Sequence, residues 1–233
     1  EIEAPTSRAL LDLLGMPEVR DGPLSFQASI SQAGDAVSIQ ARGSLENFDL
    51  GFDATVDDLL TMDGVEMTFA LAGPTLQELG YMFDKPGLPD TPFAVNGEAY
   101  RRGTVVGLGK VRAAAGDAQL SIDAALPEFP RIDNWSATIQ GEGLNLALVA
   151  PLVGVTELPA VPYRVKGELK SDDDGVELVD FVLAGNNSSM ALSGVVGEAP
   201  DFEGTRLSFS IKANDMALFG RTIGLANLPP ESF

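Results

Sequence analysis

The residues Leu88-Pro89-Asp90-Thr91-Pro92-Phe93 return 70 positions later as Leu158-Pro159-Ala160-Val161-Pro162-Tyr163, and return again after the same interval as Leu228-Pro229-Pro230-Glu231-Ser232-Phe233. A fainter copy, Asp21-Gly22-Pro23-Leu24, stands about one period earlier. An internal period of this length means that one supersecondary unit is used repeatedly. It divides the chain into a partial repeat over 1–64, full repeats over 65–134 and 135–204, and a partial repeat over 205–233. These are expected to form one continuous elongated domain. The chain starts at Glu1 without an initiator Met and stops at Phe233 partway through a repeat, so it reads as a fragment of a longer protein.

Within each period the apolar residues alternate, which is the signature of half-buried strands. Leu24, Phe26, Ala28 and Ile30 alternate with serines and Gln27. Val37, Ile39 and Ala41 follow the Gly34-Asp35 turn, and Phe48, Leu50, Phe52, Ala54 and Val56 follow Gly43. The first full repeat adds Met67, Phe69 and Leu71, then Phe93, Val95, Gly97 and Ala99. Its next strand changes phase: Val106 and Leu108 share a face with Val111 and Ala113, which calls for a β-bulge near Leu108-Gly109. Leu120, Ile122, Ala124 and Leu126 complete the unit. In the second repeat, Val176 and Leu178, then Phe181 and Leu183, show the same phase change.

Short helices are expected at Thr75–Phe83 and Leu144–Val153, near 215–223, and in residues 1–22, where Thr6 or Ser7 would cap a stripe of Leu10, Leu11, Leu13 and Leu14. The Leu-Pro-x-x-Pro stretch is read as a joint. Its prolines fix φ and force an extended entry into each strand. The fold class is therefore mainly β: about 12 antiparallel strands with one short α-helix per period. One sheet face would be apolar and the other polar. About three helices cannot cover 12 strands, so three solutions stand open. The helices cover part of the face, the sheet closes on itself, or the sheet stays curved and open and a ligand covers it.

Composition removes several functions. The 233 residues contain no His and no Cys. Ser-His-Asp and Cys-His catalysis, disulfides and thiolate metal sites are thereby excluded for this chain, and it is expected not to be an enzyme and to need no cofactor. A formal net charge of −19 opposes binding to nucleic acid and to anionic lipid surfaces. The longest apolar run, Leu146–Val155, is too short to cross a bilayer and is broken by Pro151. Asp172-Asp173-Asp174-Gly175, with Glu177 beyond, lacks the spacing of a calcium loop and reads as a hairpin turn. Glu98, Glu168, Asp53 and Asp123 fall on polar strand faces and read as solvated surface.

An apolar strand, then Gly-Pro-Thr-Leu-Gln-Glu-Leu-Gly (Gly73–Gly80), then Leu-Pro-Asp-Thr-Pro-Phe-Ala-Val-Asn-Gly-Glu (Leu88–Glu98), then further strands, resembles the repeated C-terminal region of AsmA family proteins of Gram-negative bacteria. The resemblance spans nearly the whole chain, most clearly Val65–Phe233. It implies a U-shaped, taco-like β-groove in the periplasm, belonging to a protein anchored in the inner membrane by a helix outside this segment. It implies no catalysis, but a cradle for phospholipid acyl chains that supports lipid transport to, and assembly of, the outer membrane. The expected lining is Phe93, Val95, Val111, Leu120, Ile122, Tyr163, Val165, Phe181, Met190 and Leu192. The expected partners are phospholipid or another acyl-chain ligand and no nucleic acid. In such a bacterial chain the Asn134-Trp135-Ser136 and Asn186-Asn187-Ser188 triplets match the glycosylation pattern by chance. The alternative reading is a scaffolding β-repeat of the cell envelope with a closed core.

Overall fold

The computed structural model describes residues 2–4, 22–34, 36–58, 60–61, 63–82, 87–129, 134–153, 158, 160–172, 175–185, 188–197 and 203–213. The expected helices in residues 1–22 and near 215–223, the third proline stretch at 228–233, and Phe83, Asp173, Asp174, Asn186, Asn187 and Pro200 lie outside them. The chain forms two compact units, Glu1–Gly116 and Asp117–Phe233. Their boundary falls inside the first full repeat, so compactness and sequence period partition the chain differently.

The first unit contains β1 (Ile2–Ala4), β2 (Leu24–Ala33), β3 (Ala36–Leu45), β4 (Phe48–Val56), β5 (Val65–Gly73), α1 (Leu76–Met82), β6 (Phe93–Arg102) and β7 (Val105–Ala115). The second contains β8 (Ala118–Leu126), β9 (Ser136–Gly143), a 3₁₀ segment (Leu146–Val153), β10 (Tyr163–Asp172), β11 (Gly175–Gly185), β12 (Ser188–Val196) and β13 (Arg206–Ala213). Within each unit the strands pair antiparallel in chain order. The protein is mainly antiparallel β, as its alternation predicts. The strand β1 was not foreseen, because three residues are too few to display a period of two.

Tight hairpins set the registers. Leu45 pairs with Phe48 across Glu46-Asn47, and Arg102 pairs with Val105 across Gly103-Thr104. Glu46 and Gly103 take the positive φ that such turns demand. Asp172 pairs with Gly175, the last pair of β10 with β11.

The 70-residue period reappears in the hydrogen bonds. The Leu76 N–H donates to the Thr91 carbonyl at 2.8 Å, and the Leu146 N–H donates to the Val161 carbonyl at 2.9 Å. Each proline stretch thus holds the first amide of the helix before it, whose own turn cannot satisfy it. The Thr75 hydroxyl accepts from the Glu78 N–H, and at the equivalent place the Asn145 side-chain oxygen accepts from the Ala147 N–H. Both are N-caps. The second helix differs from the expected α-helix: it is 3₁₀. Pro151 has no N–H to give to the Ala147 carbonyl, so an α-helical ladder is interrupted at mid-length.

The phase change is a bulge in both repeats. In β6–β7 the register shifts between Asn96 and Glu98, so that Lys110 and Val111 together stand opposite Gly97. In β10–β11 it shifts between Lys166 and Glu168, with Asp180 and Phe181 opposite Gly167. Lys110 and Asp180 carry the left-handed backbone, at φ 51° and 47°. The inserted residue lies just beyond the expected Leu108-Gly109, because regular pairing already resumes at Gly109.

Gly97 and Gly167 are glycines for want of room. A Cβ on Gly167 would stand 2.4 Å from Phe181 Cδ2 and 2.8 Å from its Cα. A Cβ on Gly141 would meet Val165 at 3.1 Å, a contact that a small shift relieves. Gly167→Ala should therefore destabilise the protein by about 1–3 kcal/mol, the usual cost of overpacking, and Gly141→Ala by clearly less. Urea unfolding of the two variants checks the order.

The linker after β4 is tied to the β6–β7 turn by one carboxylate. Asp63 accepts from the Gly103 N–H at 2.6 Å and from the Gly64 N–H at 2.9 Å. These bonds, that from Gly103 first, hold its carboxyl below the usual carboxylate range. A depressed folded-state pKa stabilises above the unfolded value and loses that stabilisation as pH falls through the folded one. The gap in urea midpoint between the wild type and Asp63→Ala should be open at pH 7 and should shrink below about pH 4, near the ordinary Asp pKa.

Candidate functional site

Antiparallel registers line the apolar residues into rows that run from strand to strand. In the second unit one row reads Leu120, Gly141, Val165, Leu183, Met190 and Ile211, each directly opposite the next. The neighbouring row holds Ile122, Ile139 and Gly167, and continues beyond the bulge through Phe181, Leu192 and Phe209. In the first unit, Ala41, Phe52, Phe69 and Gly97 form one row, and Gly43, Leu50, Leu71, Val95 and Ala113 the next.

Apart from Ala41 and Val111 at mid-strand, the buried apolar strand residues sit at strand ends. Phe48 and Phe93, their rings 6.0 Å apart, pack under Met82 of α1 with Leu45, Leu71, Leu76 and Leu79 around them. Val37 and Val56, paired in register, are buried at the opposite strand end. Between these ends the face is only half covered. Leu50, Phe52, Met67, Phe69 and Leu71 keep intermediate exposure, and Ile30 and Leu108 in the flanking row are exposed, Ile30 by 71%. The second unit behaves alike. Leu120, Ile122, Ile139, Val165, Phe181, Leu183, Met190 and Leu192 are all half-exposed, and Phe209 is 69% exposed.

The ten residues expected to line a groove thus fall on these apolar faces, three in the first unit and seven in the second. They play two parts. Phe93, Val111 and Tyr163 are buried, at 5%, 8% and 8% exposure, and form foundation. Val95, Leu120, Ile122, Val165, Phe181, Met190 and Leu192 present accessible hydrocarbon. Sequence reasoning left out Phe52, Phe69, Leu50 and Leu71 in the first unit and Ile139 and Leu183 in the second. The signal for them was the same period of two, read across strands instead of along one.

The polar face holds compensated charge. Arg42 pairs with Asp53 at 2.6 Å, Arg102 with Glu66 at 2.7 Å, Lys110 with Glu98 at 2.8 Å, and Lys170 with Glu168 at 3.4 Å. All are substantially exposed, and such pairs contribute little to stability. Shallow depressions of about 510 Å³ lie over this face in each unit, one along Gln40, Asp53, Thr68 and Tyr100, the other along Ser121, Gln140, Arg164 and Lys166. A further cleft of about 520 Å³ sits at the Tyr163 end of the second unit. Burial, then the nearby Asp117 carboxylate, pushes the Tyr163 phenol above its usual pKa, so it stays neutral and able to donate. Arg164 and Glu142, 3.3 Å apart, rim the cleft.

Among the described residues no group of His, Cys, Asp and Glu is arranged to hold a metal ion, and no helix is long and apolar enough to cross a membrane. The accessible apolar faces are the features whose chemistry points to a ligand. No protein-family model, no curated protein and no solved structure matches this chain.

Proposed function

We propose that the apolar sheet faces hold acyl chains, and that the chain is a periplasmic, non-enzymatic segment of an AsmA-like lipid carrier that supports phospholipid supply to the outer membrane of a Gram-negative bacterium. The observation that carries this reading is the half-exposed apolar rows at mid-strand, flanked by buried strand ends. A closed core would bury the middle of each strand first. Here Ala41 and Val111 are buried at mid-strand, but the larger mid-strand side chains around them are left accessible, and contiguous accessible hydrocarbon marks a binding surface.

In this reading the sheet curves into a U-shaped groove. The glycine and bulge at Gly97 and Gly167 bend the strands at mid-length, where the floor of the U would be. Burying hydrocarbon contributes about 0.8 kcal/mol per CH₂, so two chains of a phospholipid supply ample affinity. The burial is non-directional, so a chain slides along rows of similar side chains without meeting a large barrier. The polar-face depressions are the weaker candidates, because Arg42, Arg102 and Arg164 beside them already pair with carboxylates of the sheet.

Protein purified from a bacterial host should carry phospholipid detectable by mass spectrometry. Ile122→Glu places a carboxylate on the half-exposed face, where burying it unpaired costs a few kcal/mol. It should lower bound lipid by about tenfold or more at unchanged secondary structure, since about 1.4 kcal/mol already corresponds to that factor. A lipid-free wild type that also ignores a hydrophobic dye would sink this reading. It would favour a closed scaffold of the cell envelope.

A further inference from the structure

The cleft of about 520 Å³ at the Tyr163 end of the second unit lies where the two units depart from each other. In the first unit the ring of Phe93 lies over Gly73, and the ring of Phe48 lies on the same glycine and closes the space. In the second, Tyr163 lies over Gly143: a Cβ there would stand 2.8 Å from Tyr163 Cε1 and 3.1 Å from its hydroxyl oxygen. Ala118 stands 70 positions after Phe48, so no second ring comes from that place. Polar groups arrive at the same positions. Asn47 is replaced by Asp117, Ala72 by Glu142, Phe93 by Tyr163 and Ala94 by Arg164. Ala72 faces Ala94 across β5 and β6 as Glu142 faces Arg164 across β9 and β10. The first unit holds this register without the charges, so the scaffold does not need them.

The cleft also lies where the two faces of the sheet meet. Tyr163 shares the apolar face with Val165, two residues along β10, whereas Glu142 and Arg164 lie on the polar face. Leu144, 69% exposed, lines the same cleft. Its N–H donates to the Asp117 carboxylate and holds it in place. The Arg164 hydrogen bond to Glu142 uses Nε, at 3.3 Å, and leaves the Nη donors for a ligand. Among the described residues, the charged groups lining the cleft are the Asp117 and Glu142 carboxylates and the Arg164 guanidinium. The balance is negative, in a chain of net charge −19. A simple anion would compete with Glu142 for Arg164 and would meet Asp117 as a like charge. A group carrying both signs brings a partner to each.

We infer that this cleft seats the phosphoethanolamine head of a zwitterionic phospholipid. The primary ammonium meets the carboxylates of Asp117 and Glu142, and the phosphodiester meets the Arg164 Nη donors and the Tyr163 hydroxyl. The inference rests on the acyl-chain reading above. In that reading the chains lie on the mid-strand rows, which puts the head at a strand end, within reach of water. Val165 belongs to one of those rows and stands two residues from Tyr163. That is about 7 Å along the strand, so one molecule reaches both. Charge-assisted hydrogen bonds from arginine to phosphate are among the strong ones. A head without an amine, such as phosphoglycerol, leaves both carboxylates facing negative charge. The apolar rows do not tell one head from another, so selection between lipids falls to the cleft.

The test equilibrates the 233-residue chain with vesicles holding equal amounts of phosphatidylethanolamine and phosphatidylglycerol with identical acyl chains. Mass spectrometry then reads the bound lipid. Phosphatidylethanolamine should be enriched about threefold to tenfold, the range for one or two exposed ion pairs. In the double variant Asp117→Asn, Glu142→Gln the preference should vanish with total bound lipid unchanged. Both side chains are exposed, and Asn47 already occupies the first position in the first unit, so this variant keeps the fold. Glycerophosphoethanolamine, the same head without chains, should not displace the lipid at equal concentration. Bound lipid without a preference for phosphatidylethanolamine, or a preference that survives in the double variant, overturns the proposal and leaves the acyl-chain reading standing. Displacement by the chainless head overturns it by assigning the cleft to the free headgroup. No bound lipid of either kind overturns both readings.

Discussion

Everything in this fold depends on keeping one face of the sheet apolar from strand to strand, and a single-residue slip destroys that. Side chains alternate with a period of two, so a slip turns every later residue over. The strands β7 and β11 each contain such a slip, and each is corrected by a bulge. Without it, Val106 and Leu108 would point away from Val111 and Ala113. The correction puts Lys110 and Asp180 into the left-handed region, a conformation that costs an L-residue roughly 1–2 kcal/mol. The same correction brings Val111 and Phe181 against Gly97 and Gly167. The glycine and the bulge are therefore one device. A side chain at the glycine would push the bulged strand off, and a regular strand would leave the glycine with nothing packed on it.

The second constraint is the shortage of cover. One short helix per period reaches only one end of the strands, where Met82, Phe48 and Phe93 form a small dry cluster. The proline stretch fixes where that helix sits. Its carbonyls at Thr91 and Val161 take the first helical amides, and the next strand begins two residues later. This geometry anchors the helix over the strand ends and keeps it off the middle. The sequence reads the stretch as a joint. Its hydrogen bonds make it a clamp between helix and strand, and the accessible hydrocarbon lies in the strands it launches.

Much of this was legible in the sequence for physical reasons. Alternation over eight to eleven residues identifies β2 to β13, and the break in alternation at Leu108 and Leu178 announces the bulges, because a phase change on an apolar face calls for an inserted residue. The helix type after β9 was not legible. Leu146–Val153 is apolar throughout, and an apolar run of that length fits α and 3₁₀ equally until Pro151 is placed in the hydrogen-bond ladder. The division of the ten lining residues into buried and accessible was not legible either. Phe93 and Val95 sit two residues apart on one face, and only the position of α1 above the strand ends decides that the first is foundation and the second is surface.

The two faces of the sheet differ in what they leave open to a partner. An apolar face attracts by removing hydrocarbon from water, which distinguishes poorly between one acyl chain and another. In the proposed reading, that lets an acyl chain slide along the rows. The polar face works differently: Arg42, Lys110 and Arg164 face carboxylates of their own sheet, so these charges are engaged within the fold while the apolar rows keep hydrocarbon accessible.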